Sequence, residues 1–155
     1  MSATGLDVFD RTLQTTNIWL NEISDAIGPD KQVAWKVLST VLHKLRDRLP
    51  IELAAHLGTQ LPLLIRGVYY DQFEPGKQHK PCHTAEEFSA EVAKWLTDMR
   101  PVDPNAAVAV VFGVLSRHIS EGQIAKVKHV LPKGIRAAWE NIDAQTPAMP
   151  EGVIG

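Results

Sequence analysis

The feature that most constrains the fold is a motif that occurs twice, seventy residues apart. Leu61-Pro62 opens the stretch LPLLIRGVYY, and Leu131-Pro132 opens LPKGIRAAWE. In both stretches, Ile-Arg follows the proline by three residues, and an aromatic residue follows the arginine by three. The same offset aligns further apolar residues without a gap: Val41 with Val111, Leu42 with Phe112, Leu45 with Leu115, Leu49 with Ile119, Ala55 with Ala125 and Leu57 with Val127. A repeated fold must keep its apolar and turn positions, so this pattern predicts an internal duplication.

Composition narrows the class of protein. The chain has 155 residues, of which 45% are hydrophobic and 22% charged. That is ordinary globular composition, in a chain long enough to bury about 70% of its unfolded surface. A net charge of -2 gives no overall attraction to nucleic acid or to an anionic membrane, so neither is expected as a partner.

The single cysteine, Cys82, excludes an intrachain disulfide and favours a reducing compartment. The N-terminal sequence MSATGLDVFD resembles neither a signal peptide nor an anchor. No segment approaches the roughly 20 consecutive apolar residues of a membrane span. We therefore expect a soluble, cytoplasmic protein.

Helical spacing of apolar residues runs through most of the chain. The first helix is predicted from Leu6, Phe9, Leu13, Leu20, Ile23 and Ile27. Thr84-Ala-Glu-Glu87 and Ser120-Glu-Gly-Gln123 are capping boxes that predict two later helix starts. One helical face is predicted to carry Phe88, Val92, Trp95, Leu96 and Met99. The run AAVAVVFGVLSRHI, residues 106–119, is so apolar that we place it at the centre of the fold.

The sequence thus predicts an all-α protein, an internally duplicated helical bundle with two repeats of about four helices on a shared core. The first repeat spans residues 5–74, a linker 75–84, the second repeat 85–141 with its last helix ending near Trp139, and a flexible C-terminal tail 142–155. A buried strand is the alternative for the valine-rich run, but its length and its match to the helical segment 35–45 favour a helix.

Two stretches of the sequence resemble a known protein family. LPLLIRGVYYDQF and HISEGQIAKVKHVLPKGIRAAWE are similar to a bacterial family of uncharacterised helical proteins, domain of unknown function, family 2267. The resemblance covers about residues 5 to 141 and implies a small, soluble, duplicated helical domain without an assigned activity or site. The chain departs from that pattern at Phe73, where a tryptophan is expected.

The first candidate binding residues are Arg66 and Arg136, one turn into the helix after each Leu-Pro. A planar guanidinium suits carboxylates and phosphates, so the pair is a candidate for binding an anion or a partner. The alternative is structural, with each arginine bonded inside its own repeat and its stem laid on apolar surface. Occurrence in both repeats favours the structural alternative.

Aromatic residues supply the second candidate. Tyr69, Tyr70 and Phe73 cluster at the end of the fourth helix, where they form either an interface anchor or a plug between the repeats. Tyr69 aligns with Trp139 and is expected in the core, which leaves Tyr70 and Phe73 for binding.

Another candidate is the linker motif His79, Cys82 and His83, which has zinc-ligand chemistry. A structural zinc site needs four ligands, and His118 and His129 lie far along the chain, so an exposed polar loop is the favoured interpretation. We expect no cofactor.

Basic residues form two local groups, which we interpret as solvated faces: Lys126, Lys128, Lys133 and Arg136, and Lys44, Arg46 and Arg48. Acid–base chemistry would require the fold to bring together His43, His56 and Glu52, and the sequence contains no catalytic motif.

The favoured function is a non-enzymatic interaction or scaffold module that binds a protein partner or small ligand. A metal- or ligand-binding stress protein is the alternative, and the oligomeric state is not specified.

Overall fold

A computed structural model of the protein describes residues 3–77 and 82–145. These residues form eight α-helices and one short 3₁₀ turn, Pro75–Lys77, and contain no β-strand. The all-α prediction is confirmed. The helices are α1 (Asp7–Ile27), α2 (Lys31–Arg46), α3 (Ile51–Gln60), α4 (Leu63–Tyr70), α5 (Ala85–Lys94), α6 (Pro104–His118), α7 (Glu121–Val130) and α8 (Lys133–Gln145).

Side chains close to the helix starts explain several of these boundaries. Asp30 Oδ1 accepts hydrogen bonds from two backbone amides in the first turn of α2. Thr84 and Ser120 accept the amide of the third helical residue of α5 and α7, as their capping boxes predict. Asp103 caps α6, in which Pro104 occupies the first position and loses no hydrogen bond.

Helix α6 lies at the centre of the bundle, as its apolar sequence predicts. It packs against α1, α2, α5, α7 and α8. Phe112 stacks on Trp139 of α8, with ring centroids 4.1 Å apart, and lies 5.8 Å from the ring of Phe88 of α5. These rings join three helices of the C-terminal half into one core.

The two halves show matching helix positions. Helices α3 and α7 each have 10 residues, and α4 and α8 each start after a Leu-Pro pair. Contacts between the halves join α2 with α6 and α3 with α7. One continuous hydrophobic core contains residues from both halves.

Helix ends differ from the predicted positions at two places. Helix α5 ends at Lys94, so Trp95 is its C-cap and is 55% exposed rather than on the buried face. The non-helical segment that follows lets Arg100 Nη2 donate to Ile27 O at 2.7 Å, which ties this segment to the end of α1. Helix α8 continues to Gln145, past Trp139 and past the predicted start of the tail, because Ile142 still packs against the core. The remainder of the tail lies outside the described residues.

Candidate functional site

Arg66 binds the end of the helix that precedes its own. Its Nη2 donates hydrogen bonds to Thr59 O at 3.1 Å and to Leu61 O at 3.0 Å. The last carbonyls of a helix have no partner within the helix, and a cation also suits the negative end of the helix dipole. Arg66 therefore caps the C-terminus of α3.

Arg136 makes the corresponding bonds at the end of α7. Its Nε donates to Lys128 O at 2.9 Å, and its Nη2 donates to His129 O at 2.7 Å and to Leu131 O at 3.3 Å. Both arginines thus have the contacts of the structural alternative. Ligand binding by either of them stays a prediction.

Replacing Arg136 with methionine is expected to lower the free energy of unfolding by about 1–3 kcal/mol, because three charge-assisted hydrogen bonds to carbonyls are lost. Arg66→Met should cost less, since Arg66 makes two such bonds and its Nε has no partner. Urea denaturation of both variants measures the difference. Unchanged stability of Arg136→Met would contradict the capping role.

The aromatic cluster at the end of α4 is largely enclosed. Tyr69 is buried, as predicted, and its hydroxyl donates to Ala54 O at 2.7 Å. Tyr70 and Phe73 are half-buried, and Tyr70 packs edge-on against Tyr69. A Cβ added to Gly58 would lie 2.3 Å from the Tyr70 hydroxyl, so this glycine makes room for the ring. The cluster seals α4 against α3, and a binding role for Tyr70 and Phe73 stays a prediction.

The linker cysteine is not exposed. Cys82 is 6% exposed and belongs to the hydrophobic core, with Sγ 3.6 Å from Thr84 O. The exposed-loop interpretation is therefore wrong for Cys82, since an uncharged thiol packs as a small apolar side chain. His83 is exposed, and His79 lies outside the described residues. Within residues 3–77 and 82–145, no group of three or more His, Cys, Asp or Glu side chains could hold a metal ion.

The more distant histidines have separate surroundings. His118 stacks on Trp19, with ring centroids 5.2 Å apart, and its Nε2 hydrogen-bonds Glu22. The same carboxylate accepts a bond from Arg117 Nε at 2.6 Å, so Glu22 joins α1 to the end of α6. His129 is exposed near the end of α7.

One of the two basic groups is not a solvated face. Arg46 and Arg48 are 4% and 5% exposed. Arg46 is buried because its guanidinium pairs with Asp47 and donates to two backbone carbonyls, Tyr69 O in the last turn of α4 and Asp71 O just after it. The solvated-face interpretation is wrong for these two arginines.

In the other basic group, Lys126 and Lys133 are exposed, whereas Lys128 is half-buried and pairs with Asp143. The acid–base candidates are also separate. His43 Nε2 bonds Val68 O at 2.6 Å, while His56 and Glu52 are exposed on α3.

An exposed apolar surface, which sequence reasoning did not single out, lies on α1 and α4. We call it the α1–α4 face. Its five large side chains are 38–51% exposed: Leu6, Phe9, Leu13, Leu63 and Leu64. In α1, the residues before Thr16 contribute nothing to the core, whereas Thr16, Trp19, Leu20 and Ile23 are buried.

A hydrogen bond joins the two parts of the face. Helix α4 has no capping side chain of its own, since Pro62 precedes it. Thr12 of α1 supplies the missing acceptor, and its Oγ1 accepts from Leu64 N at 2.9 Å. The face is therefore a fixed surface of two connected helices. The sequence did contain a signal for this face. The apolar stripe of α1 extends further toward the N-terminus than the residues of α1 that are buried.

Among the described residues, no helix combines the length and the apolar character needed to cross a membrane.

A search of curated proteins finds no match. The family model described as "Uncharacterized conserved protein (DUF2267)" matches residues 16–138, which is most of the chain. The match begins at the first buried residue of α1, so the exposed half of that helix lies outside it. The chain therefore belongs to the DUF2267 family.

Proposed function

We propose that this protein is a non-enzymatic helical interaction module that binds a second copy of itself through the α1–α4 face. The observation that carries the proposal is this cluster of five large apolar side chains, 38–51% exposed on two connected helices. A contiguous exposed apolar surface is typical of a protein interaction site, whereas single exposed apolar residues are not informative.

The geometry of α1 favours a helix as the occupant. Leu6, Phe9 and Leu13 continue, at helical spacing, the stripe that Leu20 and Ile23 bury. Over the second half of α1, that stripe is covered by helices of the same chain, among them α2 and α6. The same pattern of side chains over the first half suits another helix laid along it.

A second copy provides such a helix. In a two-fold symmetric interface the same surface serves both partners, so the exposed half of one α1 can cover the exposed half of the other. The ion pair between Asp7 and Arg11 lies on the opposite side of α1, where both side chains stay in solvent. Pairing through the α1–α4 face therefore buries apolar side chains without desolvating these charges.

The organisation of the chain supports a structural rather than a chemical role. Each copy of the repeated motif contains an arginine, and the two arginines cap α3 and α7 in the same way, as expected of two copies of one helical unit. The candidate acid–base residues are distributed over different surroundings, and the His43 ring is held by a backbone carbonyl. We accordingly propose an internally duplicated module whose function is association.

Sedimentation velocity over a range of micromolar concentrations tests this proposal. We expect the wild-type protein to form a dimer and the double variant Phe9→Asp/Leu13→Asp to be a monomer, because each aspartate places a charge in an apolar interface. Ile18→Asp is the matched control, since Ile18 is 51% exposed on the opposite side of α1. Circular dichroism checks that all three proteins are folded.

A wild-type monomer at every concentration would contradict the proposal, as would a dimer that the double variant leaves intact. Loss of the dimer in Ile18→Asp alone would place the interface on the other side of α1 and would equally contradict it.

A further inference from the structure

A second surface, separate from the α1–α4 face, has the properties of a small-molecule site. A cleft of about 400 Å³ lies between one side of α2, the segment after α4 and the C-cap of α5. We call it the α2 cleft. Its volume is in the range of small-ligand pockets. Its lining includes Lys36, His43, Lys44, Asp71, Gln72 and Trp95.

The floor of the cleft is rigid. Arg46 is buried, and its Nη1 donates to Tyr69 O at 2.6 Å and to Asp71 O at 2.9 Å. Its Nη2 lies 3.0 Å from the carboxylate of Asp47. These bonds fix the backbone that carries Asp71 and Gln72 relative to α2, so the two walls of the cleft are held in place before any ligand arrives.

Backbone strain occurs in the same wall. Gln72 has φ 60 and is the one described residue other than glycine with a positive φ. Glutamine has no local hydrogen-bonding advantage in this left-handed region, which glycine and asparagine usually occupy. Such strain is found preferentially at functional sites, where the surrounding structure maintains it. Gln72 lies two residues after the end of α4, in the turn that the Phe73 N to Tyr70 O hydrogen bond of 3.0 Å closes beside the cleft.

The mouth of the cleft presents an aromatic ring to solvent. Trp95 is 55% exposed, and the Lys44 ammonium lies 4.8 Å from its ring centroid. A tryptophan face attracts cations and apolar groups, and this ring already holds one cation. An exposed tryptophan beside a cleft is therefore a suitable platform for the organic part of a ligand.

His43 contributes a neutral polar group. Its Nε2 lies 2.6 Å from Val68 O and must donate to that carbonyl, so Nδ1 is the acceptor of the neutral ring. Burial lowers the pKa of His43, which keeps the ring uncharged near neutral pH. A neutral acceptor adds no net charge to the wall formed by α2.

Charges of opposite sign lie on opposing walls. Helix α2 carries Lys36 and Lys44, which are eight residues apart and therefore separated by about 12 Å along the helix. The segment after α4 carries Asp71 and Glu74, and because Glu74 pairs with Lys77 at 3.1 Å, Asp71 supplies the carboxylate of this wall. A ligand between these walls has ammonium groups on one side and a carboxylate on the other, an arrangement that suits a molecule with both charges.

We propose that the α2 cleft binds a small zwitterion of the amino-acid or betaine class. Its carboxylate pairs with Lys44 or Lys36, its cationic group faces Asp71, and its apolar part lies against Trp95. A neutral sugar carries neither charge and a simple carboxylate carries only one, so neither class of ligand can pair with both walls.

Thermal denaturation with three pools of probe compounds tests the proposal. The first pool contains the proteinogenic L-amino acids and glycine betaine, the second contains neutral monosaccharides, and the third contains acetate, propanoate and benzoate. We expect the first pool alone to raise the melting temperature, because a ligand that binds only the folded state stabilises it. Calorimetric titration of the individual compounds then identifies the ligand.

Two variants remove one charge from each wall. Asp71→Asn and Lys44→Met should each weaken binding of the identified zwitterion by about tenfold or more, because each removes a charge-assisted hydrogen bond. Asp71→Asn should also lose the preference for a zwitterion over the matching carboxylate. Lys126→Met, at an exposed lysine of α7, is the matched control and should bind like the wild type.

No shift with the first pool, or an equal shift with all three, would overturn the proposal. Unweakened binding by both wall variants would overturn it as well. The α2 cleft shares no residue with the α1–α4 face. A protein that binds a zwitterion but stays monomeric would therefore contradict only the proposed self-association.

Discussion

Arg46→Met should lower the free energy of unfolding by about 3–5 kcal/mol, because it removes the buried guanidinium that pairs with the buried Asp47 carboxylate. The substitution also removes the hydrogen bonds to Tyr69 O and Asp71 O, which join α2 to the end of α4 and to the residue that follows it. Chemical denaturation monitored by circular dichroism measures the change. The loss should be accompanied by greater mobility of the segment after α4, since Arg46 holds that backbone.

Two control variants distinguish the contribution of the buried ion pair to stability from a general effect of removing a charge. Arg11→Met breaks an ion pair with Asp7 in which both side chains are more than 80% exposed, so it should change stability little. Arg46→Met/Asp47→Leu should be more stable than Arg46→Met alone, because the buried carboxylate is removed together with the guanidinium that pairs with it. If Arg46→Met were as stable as Arg11→Met, the ion pair would not contribute as described.

Leu115→Ala should cost about 2–5 kcal/mol, because Leu115 is fully buried in the central helix α6 and its truncation leaves a cavity. Ser120→Ala is the comparison within the same part of the chain. Ser120 Oγ accepts one backbone hydrogen bond at 3.3 Å from Gln123 N, and the loss of such a cap costs about 1 kcal/mol. Thermal or urea denaturation ranks the two variants. The reverse order would contradict the central position of α6.

The features that were predictable from the sequence depend on neighbouring residues. Thr84 and Ser120 cap their helices because acceptor and amide are three residues apart, which a short stretch of sequence displays. The central position of α6 followed from residues 106–115, a run without a polar side chain. Tyr69 was assigned to the core through its match with Trp139, and both are fully buried.

The features that were missed depend on contacts between distant segments. Arg46 is buried because its acceptors lie 23 and 25 residues further along the chain, so its own surroundings in the sequence show only a run of charges. Periodicity in α1 shows which side is apolar but not how far the neighbouring helices extend along it. For the same reason Trp95, which has the period of the buried face of α5, lies beyond the helix end and is exposed.

The measurement that tests the central claim most directly is hydrogen–deuterium exchange across a range of protein concentrations. If the α1–α4 face is the interface between two copies, the amides of residues 7–15 should become more protected as the concentration rises. Residues 16–27 of the same helix, whose apolar side is already buried within each chain, should show exchange that does not change with concentration. Exchange of residues 7–15 that does not depend on concentration would contradict the account.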